Sequence, residues 1–185
     1  MYLLPGVIGF IFFIFFDLNK IYWKSKLLNL FFVIGSVLLI FSTGYSIWQS
    51  DFHALLAHFG FRQFLLLTCL ILSGALLIYA LFFALPFDDT YVQSDALPLV
   101  NKGLYGTCRH PGFWMFVLFY LFLALLFHSR PLFYCFIIYN VCNFIYIVIQ
   151  DRFIFPEYIE GYTEYKKTVP FLVPTKESIR NAFTD

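Results

Sequence analysis

Three short groups of residues carry the types and spacings that can do chemistry. Arg109-His110-Pro111 stands directly before an apolar run that begins at Phe113. Pro111 suits the first turn of a helix, where a missing N–H and a fixed φ cost nothing. Arg109 and His110 then lie just outside a helix N-terminus, whose unpaired N–H groups favour an anion. Gln150-Asp151-Arg152 closes the next apolar run. Beyond it Tyr158, Tyr162, Tyr165 and Val169 fall at i, i+4, i+7 and i+11, one stripe of a helix whose aromatic faces suit a cationic ligand.

The elements that must position these groups are membrane spans. The 185-residue chain is 61% hydrophobic and only 12% charged, against a globular norm of about 25% charged. Its 12 basic and 11 acidic residues give no nucleic-acid-binding surface. The four cysteines are scattered and are expected to be reduced thiols. His53 and His58 have the wrong spacing for a shared helix face, so no metal site is expected. A span needs about 20 apolar residues. Segments 28–48, 64–87, 113–127 and 132–150 meet or approach that length, and 2–16 makes a short first span. The expected fold is therefore an all-α integral membrane domain of about five transmembrane helices, with a C-terminal interfacial amphipathic helix carrying the tyrosine stripe.

Few residues join the fourth and fifth spans, so the two should form an antiparallel hairpin that returns Gln150 and Asp151 to the level of Arg109. Basic residues near span ends stay cytoplasmic. Ten of the twelve fall in the first and third connections and the tail, and two in the second and fourth. A multi-pass chain follows, with its N-terminus outside and its tail and Arg109 cytoplasmic. Asn140, Asn143 and Gln150 share a face of the fifth span, as interhelical glue or as the wall of a polar cavity. Gly35-Ser36 and Ser73-Gly74 suit close packing between spans.

"GLYGTCRHPGFW", a hydrophobic hairpin and "QDRFIFPEYIEGYTEYKKTVPFLVP" together resemble the C-terminal half of the isoprenylcysteine carboxyl methyltransferase and phospholipid methyltransferase superfamily. The family pattern is G-x-Y-x-x-x-R-H-P-x-Y, a helix pair, paired glutamates, then spaced tyrosines and V-P-x-x-x-P. Here Gln150-Asp151 stands in place of the glutamates, Phe113 in place of Tyr and Ile159 in place of Gly. The resemblance divides the single membrane domain 1–185 into N-terminal spans, 1–97, and a cofactor-binding hairpin with its tail, 98–175. It implies an S-adenosylmethionine-dependent methyltransferase acting on a lipophilic acceptor from the bilayer, an isoprenylcysteine-type carboxylate or a phospholipid amine. It also implies cofactor binding by Gly103, Tyr105, Arg109, His110, Pro111, Gln150, Asp151, Tyr162 and Tyr165. Arg109 would meet the cofactor carboxylate, Asp151 the ammonium or ribose, and His110 would deprotonate an amine acceptor. The R-H-P element is also similar to that of sterol-reductase-like enzymes. A nicotinamide-dependent membrane reductase and a non-catalytic membrane protein of the same fold are therefore the alternatives.

Overall fold

A computed structural model describes residues 1–57, 59–84 and 99–184. His58, the 97/98 division and the expected end of the third span at Phe87 lie outside the described residues. The described residues form helices α1 (Leu4–Tyr22), α2 (Leu30–Trp48), α3 (Phe52–Ala57), α4 (Phe61–Ile78), α5 (Leu104–Thr107), α6 (Pro111–Phe127), α7 (Arg130–Ile149), α8 (Phe155–Tyr158), α9 (Tyr162–Thr168) and α10 (Lys176–Phe183). Wide π-turns at Tyr79–Phe83 and Gln150–Ile154 extend α4 and α7.

Among the described residues, four continuous runs are long and apolar enough to cross a membrane: Leu4–Tyr22, Leu30–Trp48, Phe61–Phe83 and Arg130–Tyr158. Helix α6 is apolar but has 17 residues, about 25 Å at 1.5 Å per residue, which is short of a hydrocarbon layer about 30 Å thick. The chain is thus all-helical among the described residues, with four candidate spans and one shorter apolar helix.

Prolines mark several helix starts. Pro5, Pro111, Pro131 and Pro156 all sit in first turns, where no intrahelical N–H is lost. Helix α6 ends at His128 in the left-handed conformation, and Ser129 leads at once into α7, which closes the expected hairpin. The core joins α1, α6 and α7 through Phe10, Phe116, Tyr120, Leu123, Leu132, Cys135 and Tyr139. Helices α1 and α2 meet at Gly9 and Gly35, where a Cβ on Gly9 would come within 2.7 Å of the Gly35 carbonyl oxygen. Gly74 faces the Phe119 ring of α6, as expected of a close-packing glycine. Hydroxyl pairs Ser42–Tyr139 and Thr43–Tyr120 tie α2 to α6 and α7. Large apolar side chains such as Val33, Val37, Phe41, Leu65 and Leu72 remain on the outside, the surface that a lipid solvent stabilises.

Two expectations are corrected. The first helix does not stop at Phe16. It runs on through Asp17, Asn19 and Lys20, all buried, because Asp17 accepts hydrogen bonds from Tyr146 at 2.7 Å and Gln150 at 2.8 Å in the facing helix. Lys20 is thus a helix residue and not part of the first connection. The tyrosine stripe is not one continuous helix with an outward aromatic face. Ile159 turns to extended backbone, Gly161 adopts φ +78°, and the segment breaks into α8 and α9. Tyr162, Tyr165 and Val169 then pack inward against Leu99, Phe155 and Ile159.

Candidate functional site

The segment before α6 is built by close approaches. Gly103 has φ +59°, a region L side chains rarely adopt, and it opens the one-turn helix α5. Gly106 presses on the carbonyl of Asn101 and on Ala182, which a Cβ would meet at 2.7 and 2.8 Å. Tyr105 donates its hydroxyl to the carbonyl of Ala80 at 2.9 Å, tying α5 to the end of α4. Arg109 donates its backbone N–H to Pro170 at 2.9 Å, and His110 is the residue just before α6, with Pro111 in its first turn.

The second cluster arrives from the far end of the hairpin. In the wide turn after α7, Gln150 and Asp151 face different neighbours. Gln150 turns to Asp17 of α1. Asp151, 5% exposed, turns to Arg109, with Arg109 Nε 2.8 Å from Oδ1 as an ion-pair contact and Nη2 donating to Oδ2 at 3.3 Å. Tyr162 donates to Oδ1 at 2.8 Å. Lys166 Nζ lies 3.3 Å from Oδ2 and donates to the Asp151 carbonyl at 2.9 Å. The other Arg109 terminus, Nη1, donates to the carbonyls of Lys166 and Val169 at 3.0 and 3.1 Å. Arg109 therefore binds α9 and the wide turn together.

His110 is 7% exposed. Its ring stacks on Phe155, with centroids 5.8 Å apart and planes at 12°, and meets the edge of Phe171 at 5.2 Å. Nε2 points toward Asp151 Oδ1 at 3.6 Å, beyond hydrogen-bond range, and has no hydrogen-bond partner among the described residues. Burial lowers the His110 pKa below the ordinary imidazole value, so the ring is neutral near pH 7. With His110 neutral, Arg109 and Lys166 against Asp151 leave the cluster at net +1. Burial, and then the carboxylate beside it, raise the Tyr162 pKa and keep its hydroxyl a donor.

No family model, no curated protein and no solved structure matches this chain.

Of the expected site residues, Arg109, His110, Asp151 and Tyr162 meet in one cluster. Tyr165 packs against the Tyr162 ring and donates its hydroxyl to the Tyr105 carbonyl. Pro111 and Gly103 shape the approach, while Gln150 belongs to a separate cluster with Asp17 and Tyr146. Asn140 donates to its own helix at Phe136, 2.6 Å away, and Gln150 donates to Asp17 of α1. Nothing in residue type or spacing singles out Lys166 among the tail cations, or Phe155 and Phe171 among 27 phenylalanines. Asp17 did carry a signal, being a carboxylate at the end of an apolar run.

Proposed function

We propose that the chain is a membrane-embedded S-adenosylmethionine-dependent methyltransferase of five spans, with its site and tail on the cytoplasmic side and a lipophilic acceptor entering from the bilayer. The observation that carries this reading is the meeting of the R-H-P element, the Asp151 turn and the Tyr162 helix in one buried cluster around Asp151. The basic distribution along the chain supports the orientation.

The residues present fit the cofactor's charges. Net +1 and a partly exposed Lys166 suit a carboxylate, and the rings of Phe155 and Phe171 beside His110 suit a sulfonium, while Asp151 is already engaged by Arg109, Tyr162 and Lys166 and holds the cluster together. The His110 Nε2 is a buried polar atom with no hydrogen-bond partner among the described residues, which is where a ligand group would complete the cluster. When bound, the cofactor supplies an electrophilic methyl group. Arg109, engaged by Asp151 and two carbonyls, acts as a positioning residue in place of the direct carboxylate fork expected from sequence. A carboxylate acceptor needs no proton transfer, and burial of the cluster excludes competing water. For an amine acceptor, neutral His110 Nε2 would take the proton. One observation favours a non-catalytic descendant: every terminal nitrogen of Arg109 already has a partner in the protein.

Thermal denaturation of detergent-purified protein tests the reading. S-adenosylhomocysteine should raise the midpoint, since a ligand at 100 times its Kd adds about 2.7 kcal/mol to the native state. Reduced nicotinamide cofactor should leave it unchanged; the opposite pair of results would favour the reductase.

A further inference from the structure

Helix α10 has two unlike faces. Its inner face is small and locked. Ser178 and Ala182 are buried, Ser178 Oγ donates to the Thr107 carbonyl at 2.7 Å, and the Gly103 N–H donates to the Ala182 carbonyl at 3.0 Å. Lys102 Nζ donates to the carbonyl of Thr184. Ala182 lies where any side chain on Gly106 would have to go. The helix thus grips the 103–107 segment that leads straight into Arg109.

The outer stripe runs through Lys176, Ile179, Arg180 and Phe183, at i, i+3, i+4 and i+7. Ile179 is 47% exposed and Phe183 70%. Two large apolar side chains flanked by two cations on one stripe are the make-up of a helix lying in a membrane interface. Glu177 is the acidic residue of the first turn.

We propose that α10 docks its Ile179/Phe183 stripe on an anionic bilayer surface and, through Ser178 and Ala182, holds the 103–107 segment in place. The charge complementarity is with acidic lipid headgroups, through Lys176 and Arg180. The gripped segment is continuous with α6, an apolar helix, so the bilayer boundary is only a few residues from α10. A second copy of the chain suits the stripe less well. Two side chains on a one-face, 8-residue helix offer far less area than the roughly 1,200 Å² of a stable interface.

The test needs no cofactor. A nitroxide at Phe183→Cys, in a chain with its four native cysteines replaced, reports collisions with oxygen and with a water-soluble nickel chelate. In nanodiscs of phosphatidylcholine with phosphatidylglycerol the label should favour oxygen over nickel, and the preference should weaken in pure phosphatidylcholine or high salt. Lys176→Glu with Arg180→Glu should return it to an aqueous value. Amide exchange over 101–108 should slow about fivefold per cation engaged when anionic lipid is present, and the double variant should lose that slowing. A label at Ile179→Cys repeats the measurement if Phe183→Cys misfolds. An aqueous label in anionic nanodiscs overturns the docking. A label shielded from both reagents, with dipolar broadening between copies, also overturns it and assigns the face to a self-contact. Exchange over 101–108 that ignores lipid charge overturns the grip on the site segment.

Discussion

Arg109 Nε lies 2.8 Å from Asp151 Oδ1, joining the entrance of α6 to the exit of α7 across a hairpin. Both side chains are nearly excluded from solvent, so each is costly to strand. Removing one partner of such a pair costs about 3–5 kcal/mol. Asp151→Ala should destabilise the chain by that order in denaturant titration, and Arg109→Ala with Asp151→Ala should show a coupling of about 0.5–3 kcal/mol. Glu164→Ala, which removes an exposed partner of Lys167, should change stability little. Equal costs at Asp151 and Glu164 would mean that the buried pair is not formed.

The neutral, buried His110 makes stability depend on pH. Its pKa is lowered by burial, so below about 6.5 the unfolded chain binds a proton that the folded chain excludes. This contribution is fully present above pH 6.5 and is lost as pH falls toward the folded value. Wild type should therefore lose stability relative to His110→Phe between pH 7.5 and 5. A constant difference across that range would show that the imidazole titrates alike in both states.

Gly9 and Gly35 let α1 and α2 touch backbone to backbone, and a Cβ on Gly9 would sit 2.7 Å from a carbonyl oxygen that cannot rotate away. Gly9→Ala should cost about 1–3 kcal/mol as overpacking. Gly44→Ala, with nothing within 4 Å, is the control and should be tolerated.

Single cysteines at Arg130 and Lys176, both exposed, should label from opposite sides of intact cells in a background without the native four. Ser178 is unsuited to this purpose because it is buried against Thr107. Labelling of both from one side would contradict the five-span orientation.

Much of the positioning was legible in the sequence because it follows from simple geometry. Pro111 and Pro131 fix helix starts, the short turn at His128 and Ser129 forces a hairpin, and arms of similar length must bring Asp151 back to Arg109. The first helix outruns its apolar stretch because Asp17, by type a solvent residue, is held by Tyr146 and Gln150 of the facing helix. The tyrosine stripe kept its periodicity on paper, yet Gly161 breaks the helix and its polar flank faces outward, so the apolar side became core. The family resemblance pairs positions 150 and 151 in one role. Neighbouring residues on a helix diverge by about 100°, and here one serves α1 while the other serves the tail.

The measurement that bears most directly on the proposed cofactor site is the affinity for S-adenosylhomocysteine of His110→Phe beside wild type, by calorimetric titration in detergent. Phe keeps the stacking on Phe155 and the edge contact with Phe171 and removes only the ring nitrogens, of which Nε2 has no hydrogen-bond partner among the described residues. The apo variant should be at least as stable as wild type at pH 7. Its affinity should fall by about tenfold or more, the scale of one hydrogen bond to a charged group at about 1.5–3 kcal/mol. Unchanged affinity with an intact fold, or no binding by wild type itself, would contradict the assignment of this cluster as the cofactor site.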